Sequence, residues 1–227
     1  MKIFMLNINN INQEDFKRYI HYSSKKNEIS KYYYFHDKVR SLYGELLSRM
    51  IISIDNLIPM ENIVIKKNQY GKPYLLNRKS CFNISHSGEW VVLATSKLSI
   101  GIDIEMQKKI NFHIMDRFFN ENEIHYIERQ NEEEKKLRAF YKVWTRKESY
   151  VKAIGIGLQD NLNFDTQPEH SYKKLGDYYI RSYFLNNYIM SICSKADPYD
   201  CEPIIVSKFD LHNYLNKGAP DENYKLL

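Results

Sequence analysis

The sequence predicts an α+β fold built from two similar lobes. Each half of the chain carries one long amphipathic helix followed by a strand hairpin, an order that repeats without any residue-level repeat. A content of 43% hydrophobic and 27% charged residues over 227 positions supplies enough apolar material for one large domain or two small halves sharing a core.

Lys2 to Ile8 alternates apolar and polar residues and reads as a strand, and Gln13 to Tyr22 as a first helix. Beyond the basic residues Lys25, Lys26 and Lys31, a helix from His36 to Ile54 shows an apolar line of Val39, Leu42, Tyr43, Leu46, Met50 and Ile54. Arg40 lies off that line, and Pro59 closes the region. Tyr70-Gly71-Lys72-Pro73 is a turn in which glycine permits close backbone approach and proline fixes the direction of the next segment. Cys81 to Ser85 reads as a strand, His86 to Glu89 as a turn, and Trp90 to Thr95 as a buried strand. Ser96 to Ser99 turns the chain into Ile100 to Glu105, so one three-stranded antiparallel sheet is expected.

In the second half, Phe112 to Arg129 reads as short helical pieces broken at Asn120-Glu121-Asn122, and Glu132 to Ile154 as the long helix. Tyr178 to Phe184 and Tyr188 to Ser194 form a hairpin about Asn186-Asn187, with Ile204 to Ser207 as a third strand. The lobes are expected over 1–105 and 106–215, with 216–227, containing Gly218 and Pro220, as a loose tail.

A formal charge of +5 suits anionic ligands or an acidic protein partner, although lysine bias accounts for it equally well. The basic residues are scattered and no nucleic-acid recognition motif is present. Cys81, Cys193 and Cys201 are odd in number and show neither disulfide nor zinc-ligand spacing. Met1 to Asn9 is too interrupted for a signal segment, and no apolar run approaches the length of a membrane span. The expectation is a reduced, soluble, cytoplasmic protein.

Two stretches carry chemistry. From Leu137, Tyr141 and Trp144 to Val151, apolar residues mark one stripe of the long helix, and Glu148 falls on it. An ionised glutamate in apolar surroundings is costly unless paired or bound to a cation. Lys147 borders the stripe, Lys152 lies one turn beyond Glu148, and Gly155 and Gly157 end the helix. Alone, Glu148 and Lys152 fit an ordinary surface pair better than a site. The second stretch is Gly101-Ile102-Asp103-Ile104-Glu105, where strand alternation puts Asp103 and Glu105 on one face, about 6.6 Å apart. Alone it equally describes a strand with a polar outer face. Taken together, three carboxylates without a cysteine or histidine cluster point to a hard cation, magnesium or manganese, with room for phosphate oxygens. His86, between Ser85 and Ser87, either donates to a phosphate or satisfies its own turn.

The ordered set F-N-I-S-H-S-G (82–88), G-I-D-I-E (101–105) and W-x-x-K-E-S-x-x-K-x-x-G-x-G-L (144–158) resembles the 4′-phosphopantetheinyl transferases of the Sfp type. The resemblance extends from the first strand to about Ser207 and includes Tyr-Gly-Lys-Pro at 70–73 and Arg-Phe-Phe at 117–119. It implies a pseudo-twofold pair of α+β lobes. It also implies an enzyme that moves the 4′-phosphopantetheine arm of coenzyme A, its co-substrate, to a serine of an acidic apo carrier protein, and two lobes in one chain point to a monomer. By motif match, Asp103, Glu105 and Glu148 would hold magnesium, with Glu148 also the base for the serine, directly or through a water, and Lys152 on the phosphate to stabilise or protonate the leaving group. Ser85, His86 and Lys147 would face coenzyme A phosphate, Tyr70, Gly71, Lys72 and Pro73 the adenine end, and Lys25 and Arg40 the 3′-phosphate. Glu28 stands where relatives carry a further basic residue, with Lys31 as a substitute, and Ile156 replaces a charged residue of many relatives. Another magnesium phosphotransferase lacks support because no Walker-type glycine loop is present. A non-catalytic coenzyme A or carrier-binding module would need neither Glu148 nor Lys152.

Overall fold

The computed structural model describes residues 1–76, 80–157 and 164–217, so Leu158 and the expected tail from Gly218 onward lie outside it. Strand β1 (Lys2–Asn7) leads to α1 (Gln13–Tyr19), which Asn12 and Asp15 close with a reciprocal capping box. After α2 (Lys26–Ser30), the helix α3 (Phe35–Asn56) buries Val39, Leu42, Tyr43, Leu46 and Met50, as its periodicity requires. A small hairpin of β2 (Ile65–Lys67) and β3 (Pro73–Leu75) precedes β4 (Cys81–Ser87), β5 (Trp90–Ser96) and β6 (Ile100–Met106). Then come α4 (Met115–Phe118), α5 (Glu121–Glu128) and the 22-residue α6 (Glu133–Ile154). The polar run at 120–122 is less a break than a start, because Asn120 caps α5 with Glu123. Strands β7 (Tyr172–Leu175), β8 (Tyr178–Leu185), β9 (Tyr188–Ser194) and β10 (Pro203–Val206) precede α7 (Lys208–Lys217).

Two four-stranded sheets, ordered β10-β1-β5-β4 and β6-β9-β8-β7, lie face to face between the long helices. Ile3, Met5, Val92 and Ala94 of the first meet Ile100, Ile102, Ile104, Met190 and Ile192 of the second. Helix α3 packs on the outer face of the first sheet through Val39, Leu42 and Leu46 against Phe4, Leu6 and Leu93. Helix α6 covers the outer face of the second, where Val143 and Phe140 meet Ile189. The result is two lobes, each a sheet with one long helix, in the α+β class expected. No helix among the described residues is long and apolar enough to cross a membrane.

Three expectations are corrected. Strand β6 does not extend the β4–β5 hairpin; it pairs antiparallel with β9, Asp103 opposite Ser191. Both of its faces are buried, and only a place between sheet and helix covers both. Strand β10 does not join the second sheet but pairs in parallel with β1, Phe4 opposite Ile204, which closes an otherwise bare edge. By sheet membership, then, the division falls at 97–99 rather than 105, and 203–217 return to the first lobe. Residues 216–217 are the last turn of α7, whose Leu211, Tyr214 and Leu215 complete the first core.

Candidate active site

The acidic strand lies under the long helix because residue 101 has no side chain. A Cβ on Gly101 would sit 2.0 Å from Ser149 O and 2.4 Å from Ala153 N, so α6 rests directly on β6. Two and four residues further along the same face stand Asp103 and Glu105. Lys152 reaches down from the helix to place its Nζ 2.6 Å from Asp103 Oδ1. On the other flank, β4 and β6 are edge strands of different sheets, joined by side chains and not by a ladder. Asn83 Oδ1 accepts from Ile102 N–H at 2.8 Å, and Ser85 Oγ donates to Asp103 Oδ1 at 2.8 Å. Ser87 Oγ donates to Glu105 Oε2 at 2.7 Å and accepts from Met106 N–H at 3.0 Å.

The electrostatics of this seam are those of crowded negative charge. Burial, then repulsion from Asp103 and Glu105, raises Glu148 from an ordinary 4.5 to about 7, against the attraction of Lys152. Burial and Asp103 likewise push Glu105 up, opposed by the Ser87 hydroxyl. Lys152 is held above its ordinary range: burial works against its charge, but Asp103, Glu148 and Glu105 outweigh it. Asp103 is 2% exposed, and its Oδ2 is the one buried side-chain nitrogen or oxygen without a hydrogen-bond partner among the described residues. A bare carboxylate oxygen in a buried seam is costly, and beside two half-buried glutamates it fits a hard divalent cation. Among the described residues no three carboxylate, histidine or cysteine side chains already close around one point, and Asp103 Oδ1 is held by Lys152 and Ser85.

The remaining predicted residues divide. His86 is not in a turn but on β4 opposite Val91, one residue before the ladder ends at Ser87 and Trp90. It is exposed at the mouth of the seam, yet its ring is partly desolvated there, and this with the charges of Arg40 and Lys152 lowers its pKa. Arg40 borders the same mouth, donating from Nε to Gly88 O at 3.0 Å and pairing with Asp37 at 2.5 Å. Lys25 opens α2, its N–H held by Ser23 Oγ, and no ion pair engages its ammonium among the described residues. The 70–73 turn docks against the end of α6, where Asn68 Nδ2 donates to Gly155 O at 2.9 Å. Lys72 is turned inward: its Nζ donates to Ala153 O at 2.9 Å and Ile100 O at 3.1 Å, fastening helix to strand. That leaves the turn's backbone and the exposed Tyr70 and Gly71 to meet a ligand.

Lys147 is corrected outright. Its side chain is 3% exposed, pairs with Glu123 Oε2 at 2.9 Å and donates to Phe164 O at 2.8 Å, on the far side of the helix from the acidic seam. One residue of helix rotates a side chain by about 100°, enough to send Lys147 into the α5–α6 interface while Glu148 faces the seam. Sequence reasoning missed Ser87, Asn83 and Asp37 as members of the site. The alternation N-x-S-x-S over 83–87 was the signal for the first two, since it puts all three polar groups on one strand face.

Comparison with known proteins places these features in company. Residues 99–193 match the family model described as the 4'-phosphopantetheinyl transferase superfamily, and residues 11–98 match the one described as 4'-phosphopantetheinyl transferase, N-terminal. The chain is 44% identical over 140 residues to the 4'-phosphopantetheinyl transferase gsp of Aneurinibacillus migulanus, covering 61% of this chain and 58% of that protein. It is 35% identical over 162 residues to the 4'-phosphopantetheinyl transferase Sfp of Bacillus subtilis (strain 168), covering 70% and 72%. It is 34% identical over 161 residues to the L-aminoadipate-semialdehyde dehydrogenase-phosphopantetheinyl transferase of Mus musculus, covering 63% and 52%.

Proposed function

The chain belongs to the 4′-phosphopantetheinyl transferase superfamily, and from that premise we propose that its acidic seam is where the 4′-phosphopantetheine arm of coenzyme A passes to a serine of an apo acyl- or peptidyl-carrier protein. The observation that carries the assignment is the meeting of Lys152, Ser85 and Asp103 beside Glu148, with Asp103 Oδ2 bare and buried. Asp103, Glu105 and Glu148 would hold a magnesium ion, with manganese a chemical equivalent. Bound there, the ion would neutralise charge on the pyrophosphate.

The protein's own groups account for the rest. Glu148, raised to about 7, is ionised in useful amount near neutral pH yet basic enough to take the serine proton. As that proton leaves, serine Oγ bonds to the phosphorus bearing the pantetheine arm, and the bond from that phosphorus to the bridging oxygen breaks. Lys152 is kept cationic by its carboxylate neighbours and faces the departing charge of 3′,5′-adenosine bisphosphate. His86, neutral and exposed, donates to a coenzyme A phosphate, and Arg40 and Lys25 supply cations for the 3′-phosphate. The formal charge of +5 suits an acidic carrier. Both lobes lie in one chain, which supports a monomeric enzyme, and we place it in the cytoplasm.

The test is to incubate the protein with several apo carrier proteins, coenzyme A and magnesium and to weigh the carriers. A mass gain of one phosphopantetheine, abolished by changing the carrier serine to alanine, is expected. Carriers unchanged in mass across the set would refute the assignment.

A further inference from the structure

The side of α6 turned away from Glu148 carries a row of cations with few anions to meet them. Lys135, Arg138, Lys142 and Arg146 succeed one another at spacings of three, four and four, and so share a ridge. Like charges so placed repel unless an anion lies between them. Arg146 is fully engaged, but by neutral acceptors only: Ser182 Oγ and the carbonyls of Thr166, Gln167 and His170. Lys135 pairs with Glu132 at 2.6 Å, and the neighbouring Arg129 with Glu169 at 3.6 Å.

Lys142 and Arg138 differ from these. Lys142 is 6% exposed, yet no carbonyl, hydroxyl or carboxylate accepts from it among the described residues. Its ammonium faces only rings, 5.5 Å from the centroid of Phe184 and 5.9 Å from that of Tyr126. Arg138 is exposed and lies 4.2 Å over the same Phe184 ring, with no carboxylate or carbonyl accepting from it among the described residues. Between them opens a cavity of about 120 Å³, lined by Tyr126, Gln130, Lys135, Arg138, Lys142 and Phe184. That is room for about four waters, or for one tetrahedral oxyanion with a water. Burial and the charges of Arg146 and Arg138 lower Lys142 to about 8, with Glu169 the only carboxylate opposing them. The Lys142 side chain is buried along its length while its ammonium reaches the cavity, where an anion that accepts from it would be favoured.

The geometry points to an oxyanion site outside the transfer seam, holding one phosphate-sized dianion between the Lys142 ammonium at the floor and Arg138 and Lys135 at the rim. Tyr126 and Phe184 line the cavity beside these cations. The chemistry is that of inorganic phosphate or of a phosphate monoester, since both present three acceptor oxygens to a floor and rim of donors.

Calorimetric titration of the full chain with inorganic phosphate in chloride-free buffer, with coenzyme A present to occupy the seam, tests this. A dissociation constant on the order of 1 mM is expected for an open site of three cations, one of them already paired with Glu132. Lys142→Met and Arg138→Ala should each weaken it by about tenfold or more. Lys142→Met replaces a buried charge with an apolar chain of similar length, so its melting temperature should not fall. Arg138→Ala changes a rim position and serves as an independent second variant. O-phosphoserine in place of phosphate separates the sources: equal binding indicates an ester ligand, and loss of binding a free ion. Identical phosphate titrations in wild type and both variants would overturn the site.

Discussion

Replacing Glu148 with glutamine keeps its volume and one ligand oxygen but removes the carboxylate that the fold raises from 4.5 to about 7. A carboxylate raised in the folded state costs stability. The cost is absent below the unfolded-state value, grows as pH climbs from about 4.5, and levels off above about 7, where both states are ionised. At about 1.36 kcal/mol per unit, the full cost is bounded by about 3.4 kcal/mol. Glu148 keeps part of its surface in water, which screens the repulsion and brings the expected figure to about 1–2 kcal/mol. Glu148→Gln should therefore melt above wild type by roughly 2–8 °C at about pH 8. At about pH 5, where the folded carboxylate is largely protonated, the gap should shrink to roughly a quarter. Magnesium should stabilise the wild type more than the variant, because the ion relieves a repulsion the variant no longer has. Carrier loading by the variant should fall about a hundredfold or more. A melting gap of the same size at both pH values refutes the electrostatic account. Near-normal loading by the variant refutes Glu148 as the base.

Asp103→Ala should abolish most loading and the magnesium-dependent rise in melting temperature together, and chelator-resistant turnover in the wild type would contradict the cation's role. His86→Ala should raise the KM for coenzyme A while leaving kcat within a few-fold, as steady-state kinetics would show, since its contact is made to the ground state as well. Lys147→Met strands the fully buried Glu123 carboxylate. It should cost about 3–5 kcal/mol in denaturant unfolding, with kcat/KM unchanged in the protein that remains folded. Gly101→Ala drives a methyl into the Ser149 carbonyl. About 1–3 kcal/mol of stability should go, and loading with it, as Lys152 is lifted from Asp103.

Much of the architecture is legible in the residues because its burial is periodic. Val39, Leu42, Leu46 and Met50 mark α3 at helical spacing, and Ile100, Ile102 and Ile104 mark β6 at strand spacing. The same period of two puts Asp103 and Glu105 on one face, which the geometry bears out. Which sheet β6 joins is not written locally. Its partner β9 lies some 85 residues further along, and both candidate edges offer the same apolar lining. His86 reads as a turn because Ser-His-Ser-Gly is rich in turn formers, yet cross-strand pairing with Val91 carries the strand through it. Lys147 and Glu148 are adjacent in sequence and point to different neighbours. Which one meets the seam depends on α5, whose Glu123 captures the lysine.

The parallel pairing of β1 with β10 has a consequence for how the chain is made. The first sheet begins with residue 2, but its outermost strand is Pro203–Val206, and its core awaits Leu211, Tyr214 and Leu215 of α7. When β5 has left the ribosome at Ser96, β1 has one neighbour and an open edge, and more than a hundred residues are still to come. At about 5–20 residues per second that interval lasts roughly 5–20 s. Throughout it the nascent first lobe presents the open edge of a strand of Ile3, Phe4, Met5 and Leu6 to its surroundings. The half of the protein that is synthesised first is thus the last to be finished, and its period of exposure is set by translation speed rather than by its own folding rate.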